Sequence, residues 1–132
     1  MTLPGEQLIE QLKQHNDAIN RGDFDAAIEL ADPDIVFVRA GGLPELRGAE
    51  AIRAWMEPDA FESQRYELLG YELVGNRILT RTRTIARGAG SGIEMEIEAL
   101  TVWTFNPKGK VARVEVFLVQ DEEAAHRALR GG

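Results

Sequence analysis

The chain has no cysteine and only two histidines, His15 and His126, in 132 residues. The first absence excludes disulfides, a thiol nucleophile and any cysteine-ligated zinc or iron–sulfur centre. The second leaves too little imidazole for a histidine-rich metal centre, and neither a metal nor an organic cofactor is expected. Positive charge is short as well: 15 Lys+Arg stand against 22 Asp+Glu, a formal net charge of −7. Such a chain lacks the basic face that displaces counterions from a phosphate backbone, so nucleic acid is not an expected partner. No apolar run approaches the ~18 residues that a helix needs to cross a bilayer. Met1-Thr2-Leu3-Pro4-Gly5-Glu6 has no basic stretch followed by an apolar one, as a secretory leader would have. A cytoplasmic protein that touches no membrane is expected, and the length suits a single domain over 1–132.

What is present is an ordered series of helix and strand patterns. Leu8, Leu12, His15 and Ile19 recur at helical spacing and predict a helix over 5–21, started by Pro4 and stopped by Gly22. Asp23 caps a second helix over Phe24–Leu30, which Asp32-Pro33-Asp34 ends. Ile35-Val36-Phe37-Val38 reads as a strand from Asp34 to Arg39. Ile52, Trp55 and Met56 mark a third helix from Ala49 to Met56. From residue 65 onward the period becomes two, with strands at 65–74, 77–87, 93–105 and 110–119 joined by turn sequences, and a short helix closes the chain at Leu129.

Register arguments give this meander two faces. A two-residue Gly75-Asn76 turn sets Tyr71 opposite Thr80, Leu69 opposite Thr82 and Glu67 opposite Thr84. A turn at Gly90-Ser91 sets Thr82 opposite Ala99 and Thr80 opposite Thr101, and lays Arg87 and Arg83 against Glu94 and Glu98. A turn at Pro107-Lys108 sets Thr101 opposite Val114, Ala99 opposite Val116 and Ile97 opposite Leu118. One face then holds Tyr71, Thr80, Thr82, Thr101, Trp103, Val114, Val116 and Leu118, with Glu67 near its open end. The other holds the Arg/Glu ladder together with Leu68, Leu100, Val102, Phe117 and Val119, a patch larger than a soluble monomer normally exposes. A homodimer through this back face is expected, the competing cover being the terminal helix.

The order of elements, with Asn20-Arg21-Gly22-Asp23-Phe24-Asp25 at the first helix junction, Leu46-Arg47-Gly48-Ala49-Glu50-Ala51-Ile52 entering the third helix, and Thr101-Val102-Trp103-Thr104-Phe105 before Gly109-Lys110-Val111, resembles the nuclear-transport-factor-2-like superfamily. The chain is identified as a SnoaL-like member of that group. The resemblance implies an α+β fold: a curved antiparallel sheet wrapped around three N-terminal helices, a cone with a central cavity, and a short C-terminal helix. Ketosteroid isomerase, a relative in that superfamily, uses a tyrosine on the first helix, a base aspartate and a protonated oxyanion aspartate. Carried over, these places fall on His15, Val38 and Thr101, so steroid isomerisation is argued against. The final-strand aspartate of limonene epoxide hydrolase falls on Val116, and of the paired histidines of scytalone dehydratase only His15 has a counterpart.

The expected cavity is therefore nearly neutral. His15 and Glu67 are the acid/base candidates, His15 because an imidazole changes charge near neutral pH and Glu67 because desolvation raises a carboxyl pKa. Val38, Trp55, Tyr71, Thr80, Thr82, Thr101, Trp103, Val114, Val116 and Leu118 are the candidate ligand-binding residues, with the tryptophans as flat walls and the threonines as hydrogen-bonding groups. Gly88-Ala89-Gly90-Ser91-Gly92 joins two strands and opens no helix, so it is a hairpin loop and not a phosphate cradle. The expected partner is a small hydrophobic molecule. Two readings stay open: an isomerase, lyase or cyclase using His15, or a non-catalytic binding or dimerisation module with the same cavity.

Overall fold

The computed structural model describes residues 5–56, 61–88 and 90–131, without the side chains of residues 55, 56 and 61–64. Helix α1 spans Gly5–Asn20 and ends where Gly22 adopts a positive φ of 74°. The amides of Arg21, Gly22 and Asp23 there bond back to the carbonyls of Asp17, Ile19 and Ala18. Only glycine enters this left-handed conformation without a steric cost, so the helix stops and the chain reverses. Asp23 then caps α2 (Phe24–Ile28), its Oδ1 accepting from the Ala26 amide at 3.1 Å. Strand β1 (Ala31–Val38), the two-residue β2 (Leu46–Arg47) and helix α3 (Ala49–Met56) follow. The meander is β3 (Phe61–Val74), β4 (Arg77–Gly88), β5 (Glu94–Phe105) and β6 (Val111–Leu118), and α4 covers Glu122–Leu129.

These strands form one curved, open six-stranded sheet in the order β2-β1-β6-β5-β4-β3. The expected α+β class is what is found, with one departure from a purely antiparallel sheet. Strand β1 lies parallel to β6, Phe37 beside Val114 and Val38 beside Glu115. It also begins earlier than Asp34, because the Leu30 carbonyl accepts from the Val111 amide at 2.8 Å and draws Ala31 alongside Val111. The irregularity between Ala31 and Val36 contains Pro33, which has no amide to give a ladder. Strand β2 is too short to leave a sequence pattern.

Leu8 and Leu12 of α1, Ile52 of α3, and Ile35, Ile78, Phe105, Val111 and Val114 of the sheet make the inner core. A second cluster lies on the convex side, where Ala125 and Leu129 of α4 bury Leu79, Leu100 and Val102, with Phe117 packed beside them. Of the expected back-face patch, Val119 stays exposed, Leu68 turns to the concave face, and Leu100, Val102 and Phe117 pack with the chain's own terminal helix. Burying such side chains is worth roughly 1.5–3 kcal/mol each, which is reason enough for a short helix to fold back over them. Arg81 ties it down, its Nη2 2.8 Å from Glu122 Oε1, and His126 lies 3.3 Å from Glu72 of β3.

The β3–β4 and β4–β5 hairpins have the expected turns, with Val74 opposite Arg77, Tyr71 opposite Thr80, Thr82 opposite Ala99 and Arg87 opposite Glu94. Two registers are corrected. A bulge between Leu68 and Gly70 absorbs one residue, so Leu68 faces Thr82, Glu67 faces Arg83 and Tyr66 faces Thr84. Between β5 and β6 the pairing is two residues out: Thr101 faces Val116, Ala99 faces Leu118 and Trp103 faces Val114. Asn106 widens that turn, its Oδ1 accepting from the amides of Lys108 and Lys110 at 3.0 Å each. A two-residue slip conserves which face each side chain takes, whereas the one-residue bulge reverses it.

Candidate functional site

On the first helix, His15 lies one turn beyond Leu12, and its ring stands between α1, α2 and the sheet. Nδ1 is 2.9 Å from the Ala27 carbonyl, and the ring meets the indole of Trp103 edge-on, centroids 5.4 Å apart at 76°. A carbonyl only accepts, so Nδ1 carries the proton and Nε2 keeps its lone pair. Burial pushes the imidazole below the ordinary histidine value, opposed by the Ala27 hydrogen bond. It is therefore neutral at pH 7, the protonation state of a general base.

Trp103 passes the contact on to the sheet, its Nε1–H donating to Thr80 Oγ1 at 2.8 Å. Thr80 and Thr101, both buried, sit opposite each other on β4 and β5, with Val116 next to Thr101 on β6. The following row, toward the open end, is Leu68, Thr82, Ala99 and Leu118, and the one after it Tyr66, Thr84 and Ile97. Tyr71 shares the face but stands at the sheet edge, half exposed. The structure thus puts Trp103, Thr80, Thr101, Thr82, Tyr71, Val114, Val116 and Leu118 on one face of the sheet, and His15 touches that face at Trp103. The indole of Trp55 lies outside the described residues.

Two candidates do not join them. Glu67 turns to the convex face because of the bulge, where Arg83 Nη2 donates to its Oε2 at 2.6 Å and Arg65 holds its other oxygen. Those hydrogen bonds, Arg83 first, hold its carboxyl below the usual carboxylate range, the reverse of the raised value that acid catalysis would need. Val38 shares its face with Glu115, whereas Phe37 packs on the inner core, so the inward residue of β1 is Phe37 and not the expected Val38.

Sequence reasoning missed Tyr66, Thr84 and the α1–β3 clamp. The Tyr66 backbone is held like a strand partner by Asn20, whose Oδ1 accepts from its amide at 2.7 Å, while Asn16 and Asn20 both donate to its carbonyl. Burial raises the Tyr66 phenol above its ordinary value. The available signal was Gly70: a glycine inside a strand pattern marks a bulge, and a bulge before it turns Tyr66 inward. On its other side His15 lines a groove of about 510 Å³ between α1, α2 and the β5–β6 turn, bordered by Gln11, Arg21, Glu29 and Lys108. Thr101 is not part of that lining.

A family model described as a SnoaL-like domain matches residues 12–114, more than half of the chain. The chain belongs to the SnoaL-like family. No curated protein matches it. Among solved structures, this SnoaL-like chain is similar to the epoxide hydrolase/cyclase-like enzyme SalBIII, which has a role in pyran ring formation in the polyether salinomycin. The TM-score is 0.77 at 19% identity, over 85% of this chain and 90% of that one. A nuclear-transport-factor-2-like protein of unknown function from Burkholderia pseudomallei gives 0.75 at 15%, over 88% and 93%. One from an Exiguobacterium species gives 0.70 at 19%, over 80% and 95%. At these identities the likeness is one of fold. Among the described residues, the concave face of β3 to β6 in this SnoaL-like protein carries threonine, tyrosine and tryptophan but no carboxylate.

Proposed function

We propose that this SnoaL-like protein binds a small, mostly apolar molecule against the concave face of its sheet and acts on it as a cofactor-free isomerase, lyase or cyclase, with His15 as the acid/base. The observation that carries this reading is the state of His15. Its imidazole is desolvated, neutral, fixed in one tautomer by the Ala27 carbonyl and packed on Trp103. Beyond Trp103 the ligand would meet Thr101 and Thr82 as hydrogen-bonding groups and Val116 and Leu118 as apolar floor. That SalBIII is described as epoxide hydrolase/cyclase-like favours the cyclase among these reactions. A second reading, non-catalytic binding, is favoured by one contact: Trp103 and Thr80 satisfy each other, leaving fewer groups for a reacting molecule.

The reading is tested with the hydrophobic fluorophore anilinonaphthalene sulfonate, titrated into wild type and His15→Phe between pH 5 and 8, and with imidazole ¹⁵N shifts recorded alongside. Binding to the concave face is expected to be weakened by Thr101→Val and Leu118→Lys. Its pH dependence is expected to follow the His15 shifts and to vanish in His15→Phe. A pH dependence that survives His15→Phe removes the histidine and leaves the binding module, and binding indifferent to both sheet variants removes the site.

A further inference from the structure

The sheet changes width along β5. Strand β4 pairs with β5 from Glu94 to Thr104, whereas β6 reaches β5 only from Phe105 back to Ala99, where Leu118 ends the strand. Among the described residues, no strand stands beside the stretch Glu94–Glu98 on the side away from β4. Among the described residues the backbone amides and carbonyls on that side have no strand partner, the arrangement by which a sheet takes up an extended segment from another chain. Both faces of the stretch are accessible. Glu94, Glu96 and Glu98 share the convex face with the β4 arginines, while Met95 and Ile97 lie on the concave side, 40% and 53% exposed.

The side chains decide which strand this edge accepts. Residues directly opposite across an antiparallel pair lie on the same face and interact. An identical edge from a second copy, with the faces of the two sheets aligned, would set glutamate against glutamate in every register. Glu96 would meet Glu94, Glu96 or Glu98 of the other copy. The edge therefore rejects itself. Its opposite side shows what it accepts: β4 sets Arg87 opposite Glu94 and Arg83 opposite Glu98, with Thr84 opposite Ile97 between them. Arg83 Nη1 lies 3.2 Å from Glu96 Oε1, and Arg81 Nη1 3.5 Å from Glu98 Oε2. That supply of cations is already shared, since Arg83 also serves Glu67 and Arg81 also serves Glu122. On this part of the convex face the arginines 65, 81, 83 and 87 stand against the glutamates 67, 94, 96, 98 and 122, one fewer cation than anion.

We propose that the open edge of β5 at Glu94–Glu98 is a docking edge for an extended segment of a partner protein in which arginine or lysine alternates with β-branched or apolar residues. The basic side chains lie over the glutamate row, and the alternate residues extend the apolar strip of Met95 and Ile97. The site is separate from the His15 region and does not depend on what the concave face binds.

The test uses the full chain and a synthetic peptide with the sequence of residues 79–87, which already has this pattern. The control peptide carries Arg81→Glu, Arg83→Glu and Arg87→Glu. The basic peptide is expected to slow hydrogen exchange of the amides between Glu94 and Glu98 and to bind about tenfold more tightly than the control, because the two directly opposed charge pairs, Arg87 on Glu94 and Arg83 on Glu98 in the register of β4, reverse sign. Its affinity is expected to fall with added salt. Glu96→Lys, at an exposed position where folding is not at stake, is expected to lose most of that preference, with Glu96→Gln intermediate. Equal affinity for the two peptides, protection that appears on β3 instead, or a preference unchanged by Glu96→Lys overturns the proposal.

Discussion

The two halves of β5 share one alternating pattern and have opposite surroundings. From Leu100 to Phe105 the strand is covered on both sides, Leu100 and Val102 by α4 and Phe105 by the inner core. From Glu94 to Glu98 it is exposed on both sides. Alternation determines which side chains share a face, and it does not determine whether anything lies on that face. Cover comes from elements distant in sequence: α1 and α3 on one side, α4 on the other. Where β6 ends, the cover ends with it. The covered half sets Trp103 against His15, and the bare half supplies an edge.

The largest effect expected from this contrast is on stability. Leu100→Ala should cost about 2–5 kcal/mol and Ile97→Ala no more than about 0.5 kcal/mol, read from urea unfolding midpoints at a common m-value. Similar losses at the two positions would show that something covers the outer half in solution. Next comes Trp103→Phe, which keeps a ring against His15 but takes the Nε1–H from buried Thr80. It should lower stability by about 0.5–1.5 kcal/mol, and by nothing further if Thr80 is re-satisfied by its neighbours.

Acid should act on both halves by different groups. His15 is lowered in the fold, so above the unfolded value of 6.5 both states are neutral and its contribution is fully present. As the pH falls below 6.5 the unfolded chain takes up the proton first, and stability is lost until the folded value is passed. A His15→Phe variant should flatten that limb of a stability–pH curve. Glu67 is also lowered, with Arg83 the leading cause, so its contribution is present above the unfolded carboxylate value and lost as the pH falls through the folded one. Arg83→Gln should move this lower-pH limb upward, the smallest of the effects because the pair is at the surface.

Much of the fold was legible because its signals are local. Gly22 and Asp23 punctuate α1 and α2, and the Gly75-Asn76 turn fixes the β3–β4 start. The Arg/Glu pairing across β4 and β5 pins that hairpin to the residue. The candidate site was legible where parity survived, as for His15, Trp103, Thr80 and Thr101. It failed at Glu67, where one bulged residue reversed a face, and at Val38, whose face is set by parallel pairing with β6 across most of the chain length. Tyr66 was hidden by the same bulge, although Gly70 marked it.

The sequence by itself determined the absences, the order of elements and the two-faced character of the meander, since composition and period are properties of neighbouring residues. It also determined that a histidine, and no carboxylate, would occupy the inner stripe of α1. The tertiary structure decided three things that depend on where distant elements come to rest. It set α4 over Leu79, Leu100 and Val102 of the convex face, it turned Glu67 out to Arg83, and it stopped β6 at Leu118. Each is a matter of which surface the chain's own later segments reach, and short-range patterning carries no record of that reach.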